Sequence, residues 1–316
     1  MTFDARFVIV ILAAFASANA VASAVTVWQW RRAQAPASPL DRATFLFHLR
    51  LLPLVASLLW ASLAMFSFFF FEPRAENERI GAVLIGVSSL GFALLFAAAV
   101  RVSIAMIRHR RLLRVWLRGA TPITLPGIHI PALAINTTFP VVAVVGILRP
   151  RLVIARCVLD ACPAEELAAI LDHERGHITR RDNARRMLLL ALPDPLSWIR
   201  VGRAIDAEWH DAAEEVADEA PGDGRGDAGR VALAAALVRV ARMVPPGETL
   251  SELPASALYR GEPLERRVRR LLDPIPPRPR APRHYQWIGL AAFIGLSIIL
   301  LNPIHRLLEV AVTFLP

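Results

Sequence analysis

Cysteine is scarce in this 316-residue sequence, in which Cys157 and Cys162 are the only two. Two cysteines five positions apart provide neither a disulfide framework nor the paired Cys-x-x-Cys motifs of a zinc ribbon. We therefore expect two partly buried thiols that take no part in a metal site or a cross-link.

Charge is missing from four long stretches of the chain: 7–30, 51–71, 80–100 and 285–304. Each is close to the roughly 20 apolar residues that a helix needs to cross the hydrocarbon core of a bilayer. Hydrophobic residues make up 55% of the chain, and its mean hydropathy is +0.45. The sequence therefore predicts a multi-span membrane protein. Because the spans contain no ionisable residue, a transporter is disfavoured.

No nucleic-acid recognition motif accompanies the formal net charge of +9. The arginines cluster beside the apolar runs, which is the distribution that sets the orientation of a membrane protein. We therefore expect the lipid bilayer as a partner and no nucleic acid.

The arginines also predict an orientation. Four lie between the first and second apolar runs and six follow the third, whereas the segment 72–79 has two arginines against three glutamates. Positive-inside logic places the amino terminus outside the plasma (inner) membrane and residues 101–284 in the cytoplasm. A second interpretation stays open: Ala18-Asn19-Ala20 resembles a signal-peptide cleavage site, and cleavage there would invert this topology. Asp4 and the continuation of the apolar run beyond that site argue against it.

The patterns divide the chain into five parts. Residues 1–107 are predicted to hold three transmembrane helices (about 7–30, 51–71 and 80–100), and 108–273 a cytoplasmic domain. A proline-rich linker (274–284), a fourth transmembrane helix (285–304) and a short extracytoplasmic tail (305–316) complete the chain. The basic stretch 101–118 is predicted to continue the third helix along anionic lipid.

Inside the domain, β-branched runs at 141–145 and 151–155 predict a short sheet. Pro163 and the two glutamates after it predict the start of a helix over 167–179, and further helices are expected at 204–220 and 230–243. Residues 221–229, rich in glycine and aspartate, are predicted to form a mobile loop between them.

The strongest chemical signal is His173-Glu174-Arg175-Gly176-His177, an H-E-x-x-H sequence. Residues i and i+4 of a helix share a face, so both imidazoles can reach one tetrahedral Zn²⁺. Zn²⁺ lowers the pKa of a water that it binds, and Glu174 is placed to accept that water's proton. The sequence therefore predicts a catalytic Glu174 and one Zn²⁺ per chain, with a peptide or protein as substrate.

A catalytic zinc needs a third protein ligand, and Glu214 is the preferred candidate. Asp218 lies one helical turn after Glu214, where it can accept a hydrogen bond from a ligating imidazole. Glu208, His210 and Glu215 are the rivals for the third ligand. His210 shares the face of Glu214 and could instead stabilise the transition state. For Asp182 two roles stay open: it ends the motif helix, or it orients His177.

The segment 171–183, which reads L-D-H-E-R-G-H-I-T-R-R-D-N, resembles the cytoplasmic zinc site of the antirepressor-type membrane metallopeptidases. That family includes the β-lactam-sensing signal transducers and is related to the heat-shock and prenyl-protein membrane endopeptidases. Residues 146–154 resemble the family's G-x-x-x-P-x-I segment, 214–218 its E-x-x-x-D, and 264–272 its arginine-rich tail helix.

The resemblance implies an integral membrane zinc endopeptidase of regulatory proteolysis or signal transduction. The implied fold is a multi-span α-helical membrane protein with a cytoplasmic, mainly helical, gluzincin-like domain and a small edge sheet (α+β). Two departures matter. Arg175 puts a charge inside the motif, and only 15 residues follow Leu301, where the sensors carry a large extracellular penicillin-binding domain. Antibiotic sensing is therefore not expected. The alternative function is a catalytically silent membrane signalling or scaffold protein that keeps the zinc fold.

Overall fold

The structure is a computed structural model that describes residues 3–33, 38–71, 81–244 and 264–273. The chain begins with three long helices: α1 (Phe3–Arg32), α2 (Pro39–Phe71) and α3 (Ala82–Trp116). All three are long and apolar enough to cross a membrane, in agreement with the first three predicted apolar helices. The predicted linker, fourth span and tail lie outside the described residues.

Helices α1 and α2 run antiparallel. At one end the Phe7 ring packs against Phe68 and Phe69, with centroid distances of 5.5 and 5.1 Å. Towards the other end the Thr26 hydroxyl donates to the Leu49 carbonyl over 3.3 Å. This pairing fixes which residues of the two helices lie at the same level.

Helix α3 extends beyond its apolar run. It continues without a break to Trp116, so the basic residues from Arg101 to Arg114 belong to the same helix, as predicted, and Arg118 lies in the turn after it. The boundary expected at residue 107 therefore falls inside a helix.

A four-stranded sheet follows α3. Its strands are β1 (Thr121–Ile123), β2 (Ala132–Ile135), β3 (Val142–Val145) and β4 (Arg151–Ala155), in the order β1-β2-β4-β3. Strands β2 and β4 are parallel, and the other two pairs are antiparallel. This confirms the predicted short sheet. Since β3 lies at the edge of this sheet, one side of its backbone has no strand partner among the described residues.

Five helices complete the described domain: α4 (Arg156–Ala161), α5 (Ala164–Arg180), α6 (Asp182–Ala191), α7 (Arg200–Arg242) and α8 (Leu264–Leu272). A 3₁₀ turn, Pro195–Ser197, precedes α7. Helix α5 begins directly after Pro163, with Glu165 and Glu166 in its first turn. Carboxylates are favourable there because the amino end of a helix carries partial positive charge. The predicted start of the motif helix is thus confirmed.

The prediction of a loop at 221–229 is wrong. Helix α7 continues through Pro221, and its backbone leaves helical geometry only at Gly226, where φ is +59°. Glycine adopts this left-handed conformation without steric cost. Beyond the kink the chain packs back so closely that a Cβ at Gly229 would meet the Pro221 carbonyl, and Arg225 lies 3.1 Å from Asp172 of α5. Tertiary packing therefore overrides the low helix propensity of this segment.

The main core lies between the sheet and the helices. Buried residues of β3 and β4 pack against α5 and against the part of α7 that follows the kink; they include Val142, Leu152, Ile154, Ile170, Leu233 and Leu237. Cys162 is buried and Cys157 half-buried, both as free thiols, as the sequence predicted.

A second apolar cluster joins α2 to the domain that follows the three long helices. Ala43 and Leu46 of α2 pack against Leu192, Ile205 and Trp209. Beside this cluster the fully buried Arg50 binds two carboxylates: its Nη1 lies 2.9 Å from Asp194 and its Nε 2.7 Å from Asp206. The apolar helices and the domain are therefore joined by both apolar packing and a buried ion pair.

Substituting Arg50→Ala should strongly destabilise the protein, because Asp194 would stay buried without its cation. Breaking a buried pair from one side costs about 3–5 kcal/mol in the free energy of unfolding. Denaturant unfolding of the purified protein in micelles measures the loss. Arg42→Ala is the matched control, since Arg42 lies on the same helix and pairs with Glu215 of α7 near the surface. Equal losses for the two variants would contradict the importance of this buried pair.

Candidate metal centre

Helix α5 brings the three motif side chains together. Its Ala169 and Ile170 are buried in the main core, and this fixes the rotation of the helix. His173, Glu174 and His177 are buried too, with the two imidazole rings edge to face at a centroid distance of 4.9 Å. The i, i+4 spacing thus places both rings on the same side of the helix.

Helix α7 supplies the third residue of the cluster. One ligand atom each from His173, His177 and Glu214 lies within 4.8 Å of the others. Buried polar atoms are normally hydrogen-bonded, yet Nε2 of both histidines and Oε2 of Glu214 have no hydrogen-bond partner among the described residues. Two imidazoles and one carboxylate are the ligand set of many catalytic zinc sites. The residues present therefore fit a zinc ion.

A carboxylate lies behind each imidazole. Nδ1 of His173 is 3.0 Å from Oδ1 of Asp218, and Nδ1 of His177 is 2.7 Å from Oδ2 of Asp182. The His177 pair is a hydrogen bond, whereas the His173 pair is a close contact that is not aligned as one. Carboxylates in this position hold a ring in one orientation and keep Nε2 for the metal. Of the two roles left open for Asp182, the structure shows the contact with His177. Helix α5 ends at Arg180, before the left-handed Arg181 with φ +54°, and Asp182 begins α6.

Three arginines contact the carboxylates of the site, and the sequence motifs did not predict these contacts. Arg186 donates to Oε1 of Glu214 over 2.9 Å, and Arg180 to Asp182 over 2.6 Å. Arg267 of α8, only 1% exposed, donates two hydrogen bonds to Asp218, of 3.0 and 2.6 Å. The arginine-rich pattern of 264–272 was the only signal in the sequence, and it did not indicate which arginine turns inward.

These charges set the ionisation of the carboxylates. Burial acts to raise the pKa of Glu214, but His177, Arg267 and Arg186 outweigh it and lower the pKa to about 2. Burial likewise opposes the ionisation of Asp218, yet Arg267 and His173 hold its pKa well below the usual range. Both side chains are therefore anionic, as a cation site requires.

Glu174 faces both the histidines and the edge strand. Its Oε2 accepts a hydrogen bond from the Val144 N–H over 3.2 Å, whereas its buried Oε1 has no hydrogen-bond partner among the described residues. Burial raises the pKa of Glu174, and the two nearby histidines act against that rise. One carboxylate oxygen is thus held by β3 and the other is available to a proton donor.

Asn183 fastens the same strand. Its amide donates to the carbonyls of Val144 and Gly146 over 2.8 and 3.1 Å. The outward N–H and C=O of Val144 are therefore both used within the protein. An extended peptide added at this edge would have to replace Glu174 at the Val144 N–H and Asn183 at the Val144 carbonyl.

The rival third ligands lie in other surroundings. Glu208 accepts a hydrogen bond from Trp30 over 3.1 Å. Glu215 pairs with Arg42 and with Arg270, and the ring of His210 packs against Trp209 at 5.0 Å between centroids. Among the described residues, the cluster that could hold a metal contains only His173, His177 and Glu214.

Substituting Arg267→Ala should weaken zinc binding or activity by about 10–100-fold, the usual cost of losing a partner behind a metal ligand. Without that guanidinium, Asp218 loses a bidentate partner and no longer holds His173 as firmly. Competition with a fluorescent zinc chelator measures the affinity. Arg269→Ala is the control, since the exposed Arg269 pairs, within the described part of the chain, only with Glu265 on its own helix. Unchanged zinc affinity in the Arg267 variant would contradict this role.

The comparison with known families agrees with the class that the site defines, a metallopeptidase. Residues 108–246 match the family model described as Peptidase family M48. No curated protein matches the chain. The match covers less than half of the chain, but it includes all the residues of the candidate metal cluster. M48 peptidases generally use zinc, which supports the predicted cofactor. The narrower resemblance to antirepressor-type peptidases stays a prediction.

Proposed function

We propose that this protein is an integral membrane zinc endopeptidase that hydrolyses peptide bonds on the cytoplasmic side of the membrane, in regulatory proteolysis. The observation that carries the proposal is the buried cluster of His173, His177 and Glu214 beside Oε1 of Glu174, which has no hydrogen-bond partner in the described part of the chain. The match of this segment to a peptidase family and the three apolar helices support it.

The proposed chemistry assigns each side chain one task. His173, His177 and Glu214 would hold Zn²⁺, which polarises a carbonyl and lowers the pKa of water. Glu174 takes the proton of the attacking water and passes it to the leaving amine. Asp218 and Asp182 keep the two imidazoles in position. His210, one turn before Glu214, is proposed to stabilise the transition state.

Substrate would bind along β3 as an additional strand, as extended peptides do at exposed sheet edges. Of the β3 residues, Val144 is the one whose backbone contacts Glu174 and Asn183. An incoming peptide that replaces Asn183 at the Val144 carbonyl would lie directly beside Glu174. Binding of the peptide along β3 would therefore also bring it to the carboxylate of Glu174.

The test is hydrolysis of an unfolded protein, such as reduced casein, by the purified full chain in micelles. A chelator should abolish cleavage, and added Zn²⁺ should restore it. In cells, peptides present with the wild type and missing with Glu174→Gln would identify substrates. Cleavage that the chelator does not affect would overturn the zinc mechanism. Zinc binding without any cleavage would favour the silent signalling alternative.

The orientation is a further prediction. A reporter fused after Arg118 should report cytoplasm, and one fused at the carboxyl terminus should report the exterior, because arginines are retained on the cytoplasmic side. Alkaline phosphatase and green fluorescent protein fusions measure this. The opposite pattern would favour cleavage of residues 1–30 as a signal peptide.

A further inference from the structure

The chain between α6 and α7 makes an unusual set of contacts with the apolar helices. The Asn19 amide of α1 donates to the Pro193 carbonyl over 3.1 Å, and Arg50 of α2 binds Asp194. Arg101 of α3 donates to the Leu192 carbonyl over 2.6 Å. All three candidate spans therefore hold this segment, residues 192–199, which we name the α6–α7 corner.

The α6–α7 corner lies beside the charge-free runs of the three long helices. Asn19 lies 11 residues before Trp30, the last residue of the first charge-free run, which is roughly 16 Å of helix. Arg50 and Arg101 each border an apolar run, at residues 51–71 and 80–100. Because the corner contacts Asn19 inside the first run and both of these arginines, it lies at the ends of the apolar runs.

The outer face of the corner is apolar. Trp198 is 48% exposed and Ile199 44% exposed, and the Arg101 guanidinium lies over the Trp198 ring at 5.1 Å. Leu188 and Leu190 of α6 are exposed as well. Arg200 and Arg203 follow on the exposed side of α7. Tryptophan and arginine beside aliphatic side chains are typical of the membrane–water interface.

The direction of α7 agrees with this depth. Its contacts with α2 pair Asp206 with Arg50, Trp209 with Phe47 and Glu215 with Arg42. Along α7 the partners thus move towards the start of α2 and away from its apolar run at 51–71. The first turn of α7 is therefore the part nearest the membrane.

We propose that Trp198 and Ile199 insert into the interfacial layer of the bilayer, with Arg200 and Arg203 against lipid phosphates. This rests on the proposed membrane insertion, but not on the peptidase reaction. The occupant is lipid because the apolar face continues directly from three helices that could span the membrane, and because the adjacent charge is positive. The catalytic domain thus has its own lipid anchor, at the start of the helix that carries Glu214.

The experiment places a fluorophore (NBD) at Ile199→Cys in the full chain, in a Cys157→Ser, Cys162→Ala background that retains zinc. The protein is reconstituted in phosphatidylcholine–phosphatidylglycerol vesicles with or without lipid that carries a nitroxide near the headgroup. Val231→Cys is the matched control: Val231 is also apolar and 51% exposed, but lies just beyond the kink at Gly226, which is roughly 39 Å of helix from Arg200. Phe92→Cys, exposed on α3, reports insertion of the helices.

We expect the nitroxide lipid to quench most of the fluorescence at position 199 and to leave position 231 unchanged. Adding Arg200→Gln and Arg203→Gln should reduce the quenching at 199. Lipid with a nitroxide on its acyl chain should quench position 92, which shows that the helices are inserted. Equal quenching at positions 199 and 231 would overturn the anchor. So would the absence of quenching at 199 in vesicles where position 92 is quenched. Absence of quenching at 92 would overturn membrane insertion itself, and the anchor with it. Loss of peptidase activity has no bearing on either readout.

Discussion

Glu174→Gln should reduce peptide hydrolysis by roughly 10²–10⁴-fold, the contribution of a positioned general base. Glutamine has nearly the same shape and can still accept the hydrogen bond from Val144, but its amide cannot take a proton from water. Zinc content should be unchanged, because Glu174 is not part of the metal cluster. Initial rates of casein cleavage, with zinc measured on the same samples, provide the comparison.

Glu165→Gln is the control for this substitution. Glu165 lies in the first turn of the same helix and is exposed. The substitution therefore removes the same charge from α5 without altering the site. Its activity should equal that of the wild type. If Glu174→Gln retains full activity, Glu174 is not the base, and the proposed mechanism fails while the zinc site stands.

Glu214→Ala should reduce zinc from about one ion per chain to nearly none, because two imidazoles alone hold the metal weakly. Glu214 also binds Arg186, so Glu214→Gln, which keeps the shape and one acceptor oxygen, separates loss of the ligand charge from loss of packing. Elemental analysis after gel filtration measures the stoichiometry, and thermal unfolding shows whether each variant is folded.

Glu215→Ala is the neighbouring control. Glu215 lies about 100° further round the helix and pairs with Arg42 and Arg270, so its loss should leave zinc in place. His173→Ala and His177→Ala should behave like Glu214→Ala. If Glu215→Ala or His210→Ala releases the metal and Glu214→Ala does not, the third ligand is wrongly assigned, although the H-E-x-x-H core would stand.

One residue that supports the metal site lies outside the segment that matches the peptidase family. The matched segment 108–246 contains both metal-site helices, but Arg267, which holds Asp218, lies in α8 beyond it. The complete site thus includes a residue outside the matched segment. An activity assay on residues 108–246 alone would therefore test a site that lacks one of its positioning residues.

The sequence by itself determined the local parts of this protein. Three apolar runs were enough to predict α1, α2 and α3, because the length and polarity of a run decide whether a helix can span a bilayer. The H-E-x-x-H spacing was enough to place His173 and His177 on one face, since a helix brings i and i+4 together wherever it lies. The same periodicity linked Glu214 to Asp218. These inferences need only short-range geometry.

Only the tertiary structure decided which distant residues meet. Thirty-six residues separate His177 from Glu214 in the chain, and no periodicity relates α5 to α7 across that distance; their packing against a common core does. The same holds for Arg267 at Asp218, for Asn183 at the edge of β3 and for Arg50 at Asp194. At 221–229 the composition favoured a loop, but packing against Pro221 and the pair of Arg225 with Asp172 outweighed it. Long-range contacts carry no local sequence signal, because their partners are fixed by the fold as a whole.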